Sequence, residues 1–170
     1  MPRLWITPEA DLGRVLEREP DAFLLSFGSP TRPASCPAGH PFERFEAFAF
    51  NDIAEPTDGL RAPSLDDVER LLALVSGREP APALVLQCWF GVSRSTAAAV
   101  IAATVLDPTR DHAARLRAIA PWATPNALMI AHADQALGLG GALVDAVRAI
   151  GRGLETDRGR AVILSPGTDR

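Results

Sequence analysis

Apolar residues along the chain occur either in short unbroken runs or at a spacing of three to four, and these two rhythms alternate. Arg3 to Thr7 reads as a short strand, and Pro8, followed by acidic residues, opens a helix through about Arg18 with Leu12, Val15 and Leu16 on one face. Ala22 to Phe27 is a continuous apolar run bounded by Pro20 and Gly28, the pattern of a buried parallel strand. Gly28 to Pro41, rich in Pro, Ser and Gly, reads as a surface loop. Between Phe45 and Phe50 there is no clean polar face, which predicts a strand covered on both sides and ending at Asn51-Asp52. Past a loop over Ile53 to Pro63, Ser64 precedes Asp66, Asp67 and the spaced residues Val68, Leu71, Leu72 and Val75, a capped amphipathic helix ending near Gly77.

Ala83 to Leu86 is the expected central strand, and Ser93 to Leu106 an alanine-rich helix that Pro108 stops. Asp111 to Ile119 and Pro125 to Leu137 are two further helices joined by Pro121-Trp122-Ala123-Thr124, and Gly140 to Ile150 makes a last one. Strands alternating with helices predict an α/β three-layer sandwich, a central, mostly parallel sheet of about four to five strands flanked by helices. A chain of 170 residues is enough for one self-sufficient core. We assign residues 1–150 to a single domain and 151–170, rich in Gly, Arg and Asp, to a loosely ordered C-terminal tail in which Ala161 to Leu164 is too short to assign.

The junction between the central strand and the alanine-rich helix carries the chemistry. It reads Cys88-Trp89-Phe90-Gly91-Val92-Ser93-Arg94-Ser95, a cysteine and an arginine separated by five residues. A strand that turns tightly into a helix aims successive N–H groups, and the positive end of the helix dipole, at one point, which makes an anion site. Positive potential there favours a nucleophilic thiolate, and a guanidinium grips two phosphate oxygens at once. A cysteine at a strand end is usually a small buried hydrophobe, and an arginine at a helix start opposes the dipole. The pair together is better explained by a bound dianion.

Cys-x5-Arg followed by Ser, between a strand and a helix, resembles the signature of cysteine-dependent protein tyrosine phosphatases, most closely the small dual-specificity-like group of bacterial type. The resemblance covers about Phe45 to Leu137. It implies a phosphotyrosine phosphatase-like fold and hydrolysis of phosphotyrosine or similar esters through a phosphocysteine intermediate, with no cofactor and no metal. Cys88 would be the nucleophile, residues Trp89, Phe90, Gly91, Val92, Ser93 and Arg94 the phosphate-binding loop, and Ser95 the hydroxyl that eases departure of the thiolate. A general-acid aspartate belongs in a loop upstream, where Asp52 is favoured over Asp58, which looks like a turn residue, and over Glu55. Pro125-Asn126 matches a Pro-Asn pair at a late helix whose Asn supports the phosphate loop, so Asn126 is a supporting candidate. The family usually has His just before the cysteine. Gln87 stands there instead, and the resemblance therefore implies the reaction more directly than its rate or pH optimum.

Composition narrows the substrate. The net charge of −4 excludes a general attraction to nucleic acid or to anionic membrane. There is no lysine, and Trp89, Phe90 and Val92 occupy loop positions that are often basic in relatives acting on highly phosphorylated inositides, so the rim reads as apolar and aromatic. The expected partner is a phosphorylated protein or small aryl phosphate, with phosphate or another oxyanion in the loop. With no signal peptide and no apolar stretch of about 18 residues, a cytoplasmic location with Cys36 and Cys88 reduced is expected. His40, His112 and His132 are widely spaced and make no metal pattern. Two rival readings use the same loop: a phosphate-binding pseudophosphatase in which Gln87 marks decay, and rhodanese- or arsenate reductase-like thiol chemistry, for which Cys36 is the available resolving thiol.

Overall fold

The apolar runs become strands of one sheet in the computed structural model of the protein, which describes residues 1–77 and 81–165. In chain order the elements are β1 (Arg3–Pro8), α1 (Leu12–Arg18), β2 (Phe23–Gly28), β3 (Phe45–Ala49), α2 (Leu65–Ser76), β4 (Ala83–Cys88), α3 (Arg94–Leu106), α4 (His112–Ile119), α5 (Ala127–Leu137), α6 (Ala142–Ile150) and β5 (Val162–Leu164). A tight 3-10 turn at Glu9–Asp11 precedes α1, so the first expected helix starts later than its Pro8 signal. The sheet runs β3-β2-β4-β1-β5, parallel except for β5, which pairs antiparallel with β1. The α/β class and the mostly parallel sheet of five strands match the alternation read in the sequence.

Side chains alternate across the sheet. Leu4 and Ile6 of β1 join Leu84, Leu86 and Cys88 of β4 in the larger core, against α3. Trp5, Leu24, Ala83 and Val85 point the other way, where Val15 of α1 covers them. α3 is buried from Arg94 to Ala103, because its small side chains let it lie close to the sheet with α2, α4 and α5 around it. α2 opens with a reciprocal capping box between Ser64 and Asp67, as its sequence predicts.

Two expectations are corrected. β3 is the edge strand, bonded only to β2, and of its residues Phe48 alone is fully buried. Arginines do the covering instead: Arg70 lies 4.6 Å over the Phe48 ring and donates to Ala47 O, while Arg61 donates to Ala49 O. These guanidiniums occupy carbonyls that an open edge offers to another strand. The tail is also more ordered than its composition implies. Residues 151–165 run back across the molecule and end in β5, with Leu164 buried in the larger core; residues 166–170 lie outside the described residues. Among the described residues no helix is long and apolar enough to cross a membrane.

At the start of the sheet Arg3 donates to both Glu19 oxygens at 2.7 and 2.6 Å, and Trp5 Nε1 adds a third bond at 2.9 Å. The Arg3 hydrogen bond, opposed by burial, holds the Glu19 carboxyl below its usual range. A carboxylate depressed on folding contributes stability above its unfolded titration and loses it as pH falls through the folded value. Glu19→Gln is therefore expected to lower the thermal midpoint at neutral pH and to converge with the unsubstituted protein in acid. A gap of constant size down the pH series would show that Glu19 acts only by packing.

Candidate functional site

β4 lies in the middle of the sheet and Cys88 is its last residue, with Pro8 and Phe27 of the two neighbouring strands beside it. Carboxyl ends of parallel strands are where open α/β sheets bind ligands. The chain then turns through residues 89–93 into α3. The carbonyls of this turn are all bonded by protein donors. Trp89 O accepts from Glu9 N, Phe90 O from Gly159 N at 2.8 Å, and Val92 O from Thr124 N at 2.9 Å. Gly91 O accepts from Trp122 Nε1, and Ser93 O from Asn126 N and Thr96 Oγ1. The N–H groups of residues 90–95 donate to no acceptor among the described residues. With the carbonyls taken up by protein donors, the amides are left without protein acceptors at the positive end of a 13-residue helix, where an anion is favoured.

The sequence explains this shape. Gly91 has φ +64, and a side-chain carbon there would come 2.7 Å from Pro8 N, so it needs both the left-handed conformation and the bare backbone. Cys88 is buried, and its Sγ lies 3.1 Å from Ser95 Oγ. Ser95 is thus inside α3 and facing the thiol, not capping the helix; the N-cap is Ser93, whose side chain makes no cap bond. Arg94 is 7% exposed. Its Nη1 donates to Gly28 O at 2.7 Å and Phe50 O at 2.9 Å, while its buried Nε has no protein partner. One side of the fork is clamped by the ends of β2 and β3, and the other has donors to spare. Gln87 points to the opposite face of the sheet, where it is buried and accepts from Ser26 Oγ. It fixes the strand end to β2 without touching the thiol side.

Asp52 lines the same cavity of about 270 Å³ as Cys88, Ser93 and Arg94. Its Oδ1 accepts from Ser93 Oγ at 2.6 Å and Asn126 Nδ2 at 2.9 Å. Asn126 is a junction: its Oδ1 caps α5 through the N–H groups of Leu128 and Met129, its Nδ2 also reaches Ile53 O, and its own N–H reaches Ser93 O of the turn after β4. Its side chain thus holds the Asp52 loop, and it is the backbone that supports Ser93. Asp58 sits beside Gly59 in an exposed turn, and Glu55 is likewise exposed; neither lines this cavity. Both cysteines are free, and Cys36 is bonded only within its own loop, to the carbonyls of Pro37 and His40. His112 Nε2 meets Asp107 O at 2.7 Å, a packing role at a helix start.

Of the two aromatic residues after Cys88, Phe90 lines its cavity and Trp89 the neighbouring one. Trp89 and Phe90 are about half exposed and stacked, with centroids 5.1 Å apart, and the Arg32 guanidinium lies 3.3 Å over Trp89 while paired to Glu9. What sequence reasoning missed is the other wall. Residues 151–160 cross the loop as a strap, pinned by Leu154 N to Pro121 O, Gly153 N to Thr124 Oγ1 and Gly159 N to Phe90 O. Thr156 and Asp157 of this strap complete the cavity that holds Cys88. The close approach depends on Gly153 and Gly159, which in sequence look like any other glycine of the tail. A side-chain carbon on Gly159 would press on Trp122 Nε1 and come 2.6 Å from Gly91 O, and one on Gly153 would strike the Trp122 carbonyl. Compared with protein-family models, curated proteins and solved structures, the chain matches none.

Proposed function

We propose that the protein is a cysteine-dependent phosphomonoesterase of the tyrosine phosphatase kind, acting on phosphotyrosine or similar aryl phosphate esters. The observation that carries this reading is the loop between the Cys88 thiol and the buried, unpartnered Nε of Arg94: the amides of residues 90–95 have no acceptor among the described residues, while the carbonyls of residues 89–93 all accept from protein donors. That arrangement fits a tetrahedral dianion and its transition state.

In the first step Cys88 Sγ, as thiolate, attacks phosphorus and forms the S–P bond as the bond to the aryl oxygen breaks. Arg94 and the loop amides take the charge on the equatorial oxygens, and Asp52, protonated, gives its proton to the leaving oxygen. In the second step water attacks the phosphocysteine, Asp52 accepts the water proton, and the P–S electron pair returns to sulfur. The Ser95 hydroxyl, 3.1 Å away, donates to the departing thiolate. Asn126 and Ser93 hold Asp52 in place for both steps.

Pre-steady-state hydrolysis of aryl phosphates tests the reading. A burst of phenol equal to the enzyme present, followed by slower turnover, is expected. Asp52→Asn is expected to slow release of a phenol of high pKa by about 100-fold or more, and of nitrophenol far less, since general acid catalysis supplies about 10²–10⁴ where the leaving group needs the proton. Tight binding of vanadate with neither burst nor turnover would instead establish a phosphate-binding module.

A further inference from the structure

The strap brings to the site a charge that the motif does not contain. Thr156 and Asp157 line the cavity over Cys88 together with Asp52 and Arg94. The two carboxylates differ in how they are held. Asp52 is tied by Ser93 and Asn126, whereas Asp157 is exposed and has no hydrogen-bond or ion-pair partner among the described residues. Thr156 stabilises the turn that presents it, with its Oγ1 donating to Arg158 O and accepting from Arg158 N. None of the strap's arginines lines that cavity. Arg158 and Arg160 line a separate cavity beside α1 with Asp11, Arg14 and Arg18, and Arg160 also stacks over Trp122 at 5.1 Å. Arg152 lines the adjoining cavity together with Glu155 and Asp157, with no ion pair to either among the described residues. The one guanidinium facing the cavity with Cys88 is that of Arg94.

From this geometry we infer that Asp157 is a specificity-determining residue, which turns away substrates carrying a second anionic group next to the scissile phosphate. This inference rests on the phosphomonoesterase reading above. A single phosphate dianion finds Arg94 and the loop amides. A second anion, whether the next phosphate of a diphosphate or a glutamate beside a phosphotyrosine, finds no cation besides Arg94 among the residues that line this cavity, since Arg32 on Trp89 is paired to Glu9, and meets the free carboxylate. Substrates with neutral or cationic flanks escape that repulsion and can use the Trp89 and Phe90 rim. Unit charges some 5 Å apart at a wetted surface, at low salt, change affinity by about five- to tenfold, a difference that salt screens.

The test compares two phosphotyrosine peptides that differ only in Glu or Gln on either side of the phosphotyrosine. At low ionic strength the native enzyme is expected to favour the Gln peptide in kcat/KM by about tenfold, and Asp157→Asn to bring that ratio to about two or less. Raising the salt to about 0.5 M is expected to shrink the native ratio in the same direction. An unchanged ratio in Asp157→Asn overturns the inference, including the case in which both peptides slow equally, as a merely structural role predicts. A readout independent of turnover is calorimetric binding of orthophosphate and pyrophosphate to Cys88→Ser, where adding Asp157→Asn is expected to improve pyrophosphate relative to orthophosphate by about fivefold. If the native protein hydrolyses no aryl phosphate, the esterase reading falls and this binding ratio still decides the exclusion. If neither anion binds, both readings fall.

Discussion

Cys88→Ser is expected to lower the turnover of an aryl phosphate by at least about 10⁴-fold and to abolish the phenol burst, because a serine hydroxyl at this strand end has no adjacent base to ionise it. The fold should be kept. The substitution replaces sulfur by oxygen in a buried position beside Ser95, with which a hydroxyl can still bond, so the thermal midpoint is expected to move little. The loop amides and Arg94 do not depend on the thiol, and orthophosphate binding should survive in the variant. Retention of more than about a hundredth of the native rate would mean that the nucleophile is water or another group, and the covalent mechanism would have to be abandoned. Acid-quenched native enzyme should also yield a phosphorylated peptide containing Cys88, absent from the variant.

Arg94→Lys is expected to cost about 10³-fold in kcat/KM and to weaken vanadate binding more than orthophosphate binding, because a fork of donors is replaced by a point charge. The reason lies in how the guanidinium is held. Its Nη1 is committed to Gly28 O and Phe50 O, which orients the buried Nε. An ammonium can satisfy those carbonyls or follow the equatorial oxygens of the transition state, but not with the same fixed geometry. The loss should fall on kcat at least as much as on KM, since the charge being matched develops in the transition state. A purely KM effect, with kcat intact, would mean that Arg94 only gathers the substrate. An equal weakening of vanadate and orthophosphate would lead to the same conclusion.

Much of the site was legible because it is local. The spacing from Cys88 to Arg94, the glycine at 91 and the change from a strand pattern to a helical one all lie within eight residues. Backbone geometry over so short a span follows from the residues present: Gly91 takes φ +64, and the helix begins at Arg94, one turn before the alanines. Asp52 was reached by its place after a strand, and the structure brings it to the cavity through bonds from Ser93 and Asn126 that no spacing shows. Asn126 was read as support for the loop, and its actual side-chain partners are Asp52 and its own helix. β3 was misread because an apolar strand without a polar face implies two covered faces, while here arginine guanidiniums from positions 61 and 70 lie on it.

The tail shows the limit most plainly. Glycine, arginine and aspartate in succession read as loose chain, since composition counts glycine as backbone freedom. Gly153 and Gly159 instead permit backbone to lie directly against the Trp122 segment and Gly91 of the turn after β4, and the chain continues into β5 against β1. A glycine needed for close approach looks, in sequence, like a glycine needed for nothing, because the atoms it makes room for are remote along the chain. Sequence by itself determined the order of strands and helices, the α/β class and the eight-residue loop, all set by periodicity and short-range backbone preference. Tertiary structure alone decided which strand lies at the edge, which carboxylates face Cys88, and that a segment some 60 residues downstream walls the site, because those are contacts between positions that no local pattern links.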